Sequence, residues 1–186
     1  GQTLHLGSLG RLHPVKGYDR LIDALALLRQ QGFTPPCPVR LTLAGEGDER
    51  PRLAAMAAQG GIADIILPGY VDQPQQFLAG LHLYLQPSKS EGFCIAAHEA
   101  MVAGLPVLAS AVGEIPFSIQ EGVTGYTVPP QNTDILADRL REMLSQPDRL
   151  HAMGVASRAH VLDRFSMARF RETGTAIMRR ITGSGA

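Results

Sequence analysis

Two carboxylates stand eight residues apart near the middle of the chain, Glu91 and Glu99. The residues around them read as a strand end, a glycine-bearing turn, a helix and a second strand. Eight helical residues turn by about 800°, which is about 80° beyond two turns, so both acids are expected on one side of the helix, about 12 Å apart along its axis. The backbone N–H groups of Gly92, Phe93 and Cys94 precede the helix, where an anion is stabilised. A nucleotide sugar, with a charged centre and hydroxyl-bearing ends, fits this pattern.

A second group of charges, Arg11 and Lys16, lies on the loop 10–17 after the first predicted strand. Glycines at both ends let this loop turn tightly, and a proline between the cations stiffens it. Two such cations could hold a diphosphate, since one contact at 4 Å is worth about 4 kcal/mol at an effective dielectric of ~20, before desolvation. A solvated basic loop is the alternative for these residues taken alone.

Both glutamates also have an ordinary structural explanation. A glutamate before a helix interacts favourably with the helix dipole, and a glutamate inside a helix is a good helix former. The residues around Glu99 read IAAHEAMVAG, so we expect its helix to be mostly buried. A carboxylate on a buried helix needs hydrogen-bond donors, and ligand hydroxyls can supply them, which favours a functional role.

Short apolar segments alternate with helical patterns along the chain. The predicted strands are 3–9, 39–43, 65–67, 83–85, 106–110 and 125–128. The predicted helices are 18–31 and 51–59, followed by a helical region from 134 to 181 with breaks near Pro147 and Ser166. This alternation predicts an α/β fold, a Rossmann-like three-layer α/β/α domain with a mainly parallel sheet covered on both faces.

In such sheets, ligands bind beyond the carboxyl ends of the strands. The loops 10–17, 45–49, 69–72, 88–93 and 111–116 all follow predicted strands, so we expect them along one edge of the sheet. We predict a single domain over residues 1–182 and a flexible tail over 183–186.

The composition disfavours several functional classes. A formal net charge of zero, from 17 basic and 17 acidic residues, argues against nucleic-acid binding by bulk electrostatics. Two cysteines provide no disulfide framework and favour a reducing, cytoplasmic compartment. No apolar run reaches the ~20 residues that span a bilayer.

Other motifs carry weaker signals. The six histidines form no i, i+4 pair beside a glutamate, so no metal site is predicted. Gly45 and Gly47 lack the third glycine of a dinucleotide fingerprint, so a tight turn is predicted there. The first strand is likewise followed by no such fingerprint, which disfavours a Rossmann dehydrogenase. Cys94 could have a lowered thiol pKa at a helix N-terminus, but without a partner base we interpret it as structural.

The basic loop 10–17, the Glu-x₇-Glu element 91–99 and Gly-Glu-Ile-Pro at 113–116 together resemble a known family. They are similar to the donor-binding C-terminal lobe of retaining glycosyltransferases with the GT-B fold. The resemblance covers about residues 3–180, and the Glu-x₇-Glu element is its specific part. His98 stands where the family usually has an apolar residue.

The resemblance implies a nucleoside-diphosphate sugar donor (UDP-, GDP- or ADP-linked), transfer with retention of configuration, and no metal or other cofactor. It implies catalytic roles for three residues, with Arg11 and Lys16 on the diphosphate and Glu91 on the donor sugar. It implies substrate-binding roles for Glu99 on the ribose, for Gly92, Phe93 and Cys94 on phosphate or sugar, for Tyr70 and Val71 beside the base, and for Gly113 and Glu114 near the sugar.

Complete enzymes of this type have two lobes, and the resemblance implies that an N-terminal lobe carrying the acceptor site is missing here. The acceptor would be a sugar or a lipid-linked glycan in polysaccharide biosynthesis, with the enzyme at the inner face of the membrane. We expect the chain alone to be inactive. We also expect apolar residues of its last helix to be exposed, namely Met167, Phe170, Ile177 and Met178.

Two alternatives stay open. A noncatalytic nucleotide-sugar-binding module would keep the same residues. A related GT-B enzyme, such as a sugar-nucleotide epimerase or a phosphorylase, is the other. A phosphorylase needs a lysine for its covalent cofactor, and only Lys16 and Lys89 are present.

Overall fold

The computed structural model describes residues 3–182, and within this range six strands form one sheet. The strands are β1 (Leu4–Leu9), β2 (Val39–Ala44), β3 (Ala63–Gly69), β4 (Leu83–Gln86), β5 (Val107–Ser110) and β6 (Gly125–Val128). The helices are α1 (Tyr18–Gln30), α2 (Arg50–Ala58), α3 (Pro74–Ala79), α4 (Ile95–Val102), α5 (Ile115–Ser118), α6 (Thr133–Ser145), α7 (Pro147–Arg164) and α8 (Met167–Thr182). A 3₁₀ turn, Pro14–Lys16, precedes α1.

All neighbouring strands are parallel, in the order β3-β2-β1-β4-β5-β6. The chain therefore builds the sheet outward from β1 to one edge, returns to β4 and continues to the other edge. The reversal lies between β1 and β4, and the helices that follow these two strands, α1 and α4, pack on opposite faces of the sheet. Open α/β sheets bind their ligands at such a switch point.

Helices cover both faces of the sheet and enclose two apolar cores. On one face, α1 packs against α6, because Leu21, Leu25 and Leu28 recur at helical spacing and are fully buried. On the other face, α4 packs against α7 around a core that includes Met101 and Val161. The molecule is thus a three-layer α/β/α domain, which confirms the predicted fold class.

All six strands were predicted, with limits within two residues of those observed. The helical pattern after residue 133 also divides at the two predicted breaks. The short helices α3 and α5 were not predicted, since four to six residues are too few to show a helical period. β3 alternates between half-buried and exposed residues because it is an edge strand, which made it read shorter than it is.

The last helix is exposed along its apolar residues, as expected. Met167, Phe170, Ile177 and Met178 expose 64%, 72%, 51% and 58% of their surface. The predicted tail, 183–186, lies outside the described residues.

A pair of glycine substitutions tests the packing of α7. A Cβ at Gly154 would overlap the carbonyl oxygen of Gly104, whereas one at Gly174 in α8 would meet nothing within 4 Å. Gly154→Ala should therefore lower the free energy of unfolding by roughly 1–3 kcal/mol, despite the gain of about 1 kcal/mol in helix propensity. Gly174→Ala, the matched control, should leave it unchanged or raise it. Urea denaturation measures both, and equal stability of the two variants would contradict the packing described here.

Candidate functional site

The loops after β1 and β4 are fastened to each other at the switch point. The backbone N–H of Lys89 donates to the carbonyl of Val15 at 2.7 Å, and the Arg20 guanidinium donates to the carbonyl of Pro87. Gly17 has a left-handed φ of 67°, and a Cβ there would overlap the same Pro87 carbonyl. A glycine is needed at this position for both reasons. The two loops therefore have a fixed relative position.

The carboxylate of Glu91 is the centre of the polar contacts between these loops. Its Oε1 accepts from Lys16 Nζ at 2.7 Å, Ser88 Oγ at 2.6 Å and Gln86 Nε2 at 2.9 Å. The side chain of Glu91 is only 12% exposed. No donor among residues 3–182 binds its other oxygen, Oε2. One oxygen thus holds the carboxylate in place, and the second is available to a ligand.

A buried chain of hydrogen bonds at the end of β4 holds the residues that donate to Glu91. Gln86 and Ser88 are 1% and 0% exposed, and Gln86 Nε2 also lies 2.8 Å from Ser88 Oγ. Gln86 Oε1 lies 3.0 Å from the Tyr84 hydroxyl, which accepts from the N–H of Leu9 at 3.2 Å. Burial raises the pKa of Tyr84 well above its usual range, so the phenol stays neutral. Sequence reasoning missed Gln86 and Ser88, although a glutamine ending an apolar strand was a usable signal.

The structure brings Lys16 to Glu91 but leaves Arg11 apart from both. Lys16 is 23% exposed in its ion pair with Glu91. Arg11 is exposed on the same loop, and its side chain makes no hydrogen bond or ion pair with any described residue. Of the two cations on the basic loop, Lys16 therefore contacts Glu91, and Arg11 makes no such contact with Glu91.

The turn before α4 presents backbone N–H groups without protein partners. Cys94 caps the helix in a left-handed conformation, with φ 59° and ψ 65°. The N–H groups of Gly92, Phe93 and Cys94 donate no hydrogen bond to any residue in the described range. Unpaired N–H groups at a helix N-terminus are suited to an anion. Glu91 lies four residues before the first residue of α4, and the turn between them is not helical, so the helical rotation and rise per residue do not describe its position relative to Glu99.

Glu99 is exposed on α4, which corrects the expectation that its surroundings are buried. Ala97, His98, Ala100 and Met101 form the buried face of the helix, and Glu99 projects away from them. It borders an apolar cavity of about 530 Å³, together with residues such as Phe93 and Ile95. Water can solvate the Glu99 carboxylate, so it does not need hydrogen bonds from ligand hydroxyls to compensate for burial.

The loop after β5 packs directly on the turn at Glu91. Gly113 has φ 57°, and a Cβ there would overlap the carbonyl oxygen of Gly92. The N–H of Glu114 donates to that same carbonyl at 3.0 Å. The Glu114 carboxylate instead pairs with Arg164 of α7 at 3.2 Å. The backbone of this loop therefore borders the Glu91 turn, while the Glu114 side chain is occupied elsewhere.

The loop after β3 presents Tyr70, which exposes 75% of its surface, and the half-buried Val71. These two residues follow the edge strand, three strands from β4, and form no hydrogen bond with Lys16 or Glu91. No three His, Cys, Asp or Glu side chains among residues 3–182 are grouped so that they could bind a metal ion. The helices in this range also lack the length and hydrophobicity needed to cross a bilayer.

Residues 2–160 match the family described as glycosyl transferases group 1. The chain belongs to this family. Its sequence is 37% identical over 163 residues to a D-inositol 3-phosphate glycosyltransferase of Gordonia bronchialis, an alignment that covers 82% of this chain and 35% of that protein. The chain therefore spans about a third of the length of the curated group 1 relatives it matches.

Solved structures establish the fold of this group 1 chain. HepE of Anabaena, crystallised with UDP and separately with UDP-glucose, gives TM-scores of 0.79 and 0.78 at 23% and 24% identity, over 95% of this chain and 49% of that one. The C-terminal domain of LpcC, a group 1 protein of Francisella tularensis, gives 0.76 at 23% identity and covers 88% and 87% of the two chains. The chain has the fold of the C-terminal lobe of a GT-B glycosyltransferase.

The thiol of Cys94 is less acidic than its helix position predicts. Burial is the main cause and raises its pKa to about 11. The possibility of a lowered pKa is therefore wrong. In the native chain at pH 8, iodoacetamide should modify the half-buried Cys37 and leave Cys94 unmodified, because thiolate is the reactive form. Peptide mass spectrometry distinguishes the two sites.

Denaturation provides the control for this labelling prediction. In guanidinium chloride, both cysteines should react at similar rates, because burial is lost. A native Cys37→Ser chain should incorporate almost no label. Equal labelling of Cys94 and Cys37 in the native chain would show that the thiol is accessible and acidic.

Proposed function

We propose that this chain is the donor-binding lobe of a retaining glycosyltransferase and that it holds a nucleoside-diphosphate sugar at the sheet's switch point. The observation that carries the proposal is the Glu91 carboxylate, which is fixed through one oxygen and open at the other. Beside it lie a cation, Lys16, and the unpaired N–H groups of residues 92–94. This combination supplies a site for an anion next to an acceptor for sugar hydroxyls.

In the proposed complex, the diphosphate lies between Lys16 and the turn 92–94, and Arg11 swings in from its exposed position. The Oε2 atom of Glu91 accepts from a hydroxyl of the donor sugar, beside the backbone of Gly113. The ribose hydroxyls bind Glu99, and the base lies toward Tyr70 and Val71. A diphosphate gives Lys16 a second anionic partner without breaking its contact with Glu91, since an ammonium has three donors.

The proposed chemistry places most of the stabilisation on the leaving group. Negative charge builds on the β-phosphate as the bond to the sugar breaks. Lys16, Arg11 and the helix N-terminus stabilise this charge best in the transition state, which lowers the barrier. Glu91 orients the sugar and does not attack it. The acceptor arrives from the same face as the leaving group, so the configuration is retained.

Uracil is the base that we propose for the donor, since HepE was crystallised with UDP and with UDP-glucose. GDP and ADP sugars are the other donors to be tested. The acceptor site is proposed to lie on a second lobe, because the alignments with the relatives cover only 36% and 35% of their length. A transfer assay on the complete two-lobe protein distinguishes a transferase from a noncatalytic binding module.

Thermal unfolding tests the proposed phosphate contact. A ligand at 100 times its Kd adds about 2.7 kcal/mol of stability, which for a domain of this size raises Tm by roughly 5–10 °C. UDP should produce such a rise in the parent chain, and Lys16→Ala should lose at least half of it. Arg40→Ala, which removes an equal charge from an exposed pair with Asp64, should keep the full rise. A full rise in Lys16→Ala would rule out the proposed phosphate contact.

Isothermal titration tests the proposed role of Glu91. Glu91→Gln should weaken UDP-glucose binding by about tenfold or more, because a hydrogen bond to a charged group is worth roughly 1.5–3 kcal/mol. UDP itself should bind equally well or more tightly, since Lys16 loses its carboxylate partner. Glu142→Gln, which changes a half-buried carboxylate on α6 that pairs with Arg139 and accepts from Tyr126, should leave both affinities unchanged. Equal losses for UDP and UDP-glucose in Glu91→Gln would contradict a sugar contact.

A further inference from the structure

We propose that His98 is a positioning residue that holds the turn 92–94 in shape for the diphosphate end of the donor. This inference depends on the donor site proposed above. His98 lies on α4, one turn after Cys94, and only 6% of its surface is exposed. Because His98 is buried, we propose that it affects the ligand indirectly, by orienting the turn 92–94. Glu99, the next residue, is exposed to solvent.

The first contact of His98 is with the residue that shapes the turn. Its Nδ1 lies 3.0 Å from the carbonyl oxygen of Cys94. A carbonyl only accepts, so Nδ1 carries the proton and donates it. Cys94 has a left-handed backbone conformation that is unfavourable for a residue with a side chain. This carbonyl also accepts from the backbone N–H groups of Ala97 at 3.1 Å and His98 at 3.4 Å, and the bond from the His98 ring adds a side-chain constraint on its orientation.

The second contact connects the turn to the neighbouring loop. His98 Nε2 lies 2.8 Å from the hydroxyl of Ser118, at the end of α5. With Nδ1 protonated, Nε2 is the acceptor for the Ser118 hydroxyl. The same hydroxyl lies 3.2 Å from the carbonyl of Glu114, whose N–H binds the carbonyl of Gly92, and its single proton is donated to only one of these two acceptors at a time. Through Ser118, His98 therefore contacts the loop that packs on the turn.

The third contact is a ring stack. The His98 ring lies flat on Phe93, with centroids 4.1 Å apart and an interplanar angle of 9°. Phe165, the residue after α7, meets the His98 ring edge-on at 5.1 Å and the Phe93 ring edge-on at 5.5 Å. Phe93 is 47% exposed even with these contacts, so the stack on His98 and the edge contact with Phe165 are the ring contacts that hold its side chain. Two of the three contacts of His98 are therefore with Phe93 and Cys94, whose N–H groups face the proposed diphosphate, and the third is with the neighbouring loop at Ser118.

Core packing alone would be satisfied by an apolar residue of similar volume. A residue that only fills space affects stability, and it affects binding of nucleoside monophosphate and diphosphate alike. A residue that orients the turn affects the contribution of the β-phosphate specifically. The ratio of UDP to UMP affinity therefore separates the two roles.

The test compares His98→Leu, His98→Asn and His98→Gln by isothermal titration with UDP and UMP, alongside their melting temperatures. If the parent prefers another base, the matching GDP/GMP or ADP/AMP pair replaces the uridine nucleotides. Leu should lower the UDP/UMP affinity ratio about fivefold, the factor for one hydrogen bond of about 1 kcal/mol. Asn, whose amide can replace Nδ1 as donor to Cys94, should restore most of the ratio. Gln, which reaches only toward Ser118, should not.

Met101→Leu is the matched control, since Met101 is a buried residue of α4 directed into the core. It should change Tm without changing the ratio. An unchanged ratio in His98→Leu, or equal ratios in the Asn and Gln variants, would overturn the positioning role. If His98→Leu does not fold, the Asn and Gln comparison decides. If the parent chain binds no nucleoside diphosphate, the proposed donor site itself fails.

Discussion

The contact on which the site depends is the convergence of three donors on one oxygen of Glu91. A partly buried carboxylate is stable only when charges and hydrogen bonds compensate for its lost hydration. Lys16 supplies the charge from the β1 loop, and Gln86 and Ser88 supply hydrogen bonds from the end of β4. The contact therefore requires that β1 and β4 be neighbours, and the strand order of the sheet provides that neighbourhood.

Main-chain packing also fixes the relative positions of the loops after β1, β4 and β5, independently of the charged side chains. Gly17 lets the β1 loop lie against the carbonyl of Pro87, and Gly113 lets the β5 loop lie against the carbonyl of Gly92. At both positions the left-handed φ also favours glycine. Three loops from three adjacent strands are thus held against one another by main-chain contacts. Side chains can exchange partners on this frame when a ligand binds.

The fold was largely predictable because its signals are periodic. Apolar segments of strand length alternate with helical patterns, and this alternation gave the parallel sheet and the edge where the loops meet. α3 and α5 escaped prediction because each is too short to complete a recognisable period. The proximity of Lys16 and Glu91 also followed from the fold, since both lie on loops after central strands.

The details of the site were less predictable because they depend on where the helix begins. The chain turns at Cys94 through a left-handed conformation, so Glu91 is outside α4 and its geometric relation to Glu99 differs from that of two helical residues. The helix of Glu99 was expected to be mostly buried from its apolar residues, yet sequence composition does not show which side of a short helix meets the core, and Glu99 lies on the exposed side. The supporting roles of Gln86 and Ser88 depend on long-range burial, which local patterns do not encode.

The strand order places the two ends of the proposed ligand against different parts of the sheet. In the complex proposed above, the phosphate end rests on central strands that are paired on both sides, and the base end lies beside the edge strand β3 and its exposed tyrosine. On that proposal, substitutions on the outer loop alter the preferred nucleobase while the central loops keep their alignment. Base preference can then change without rebuilding the residues proposed to bind the leaving phosphate.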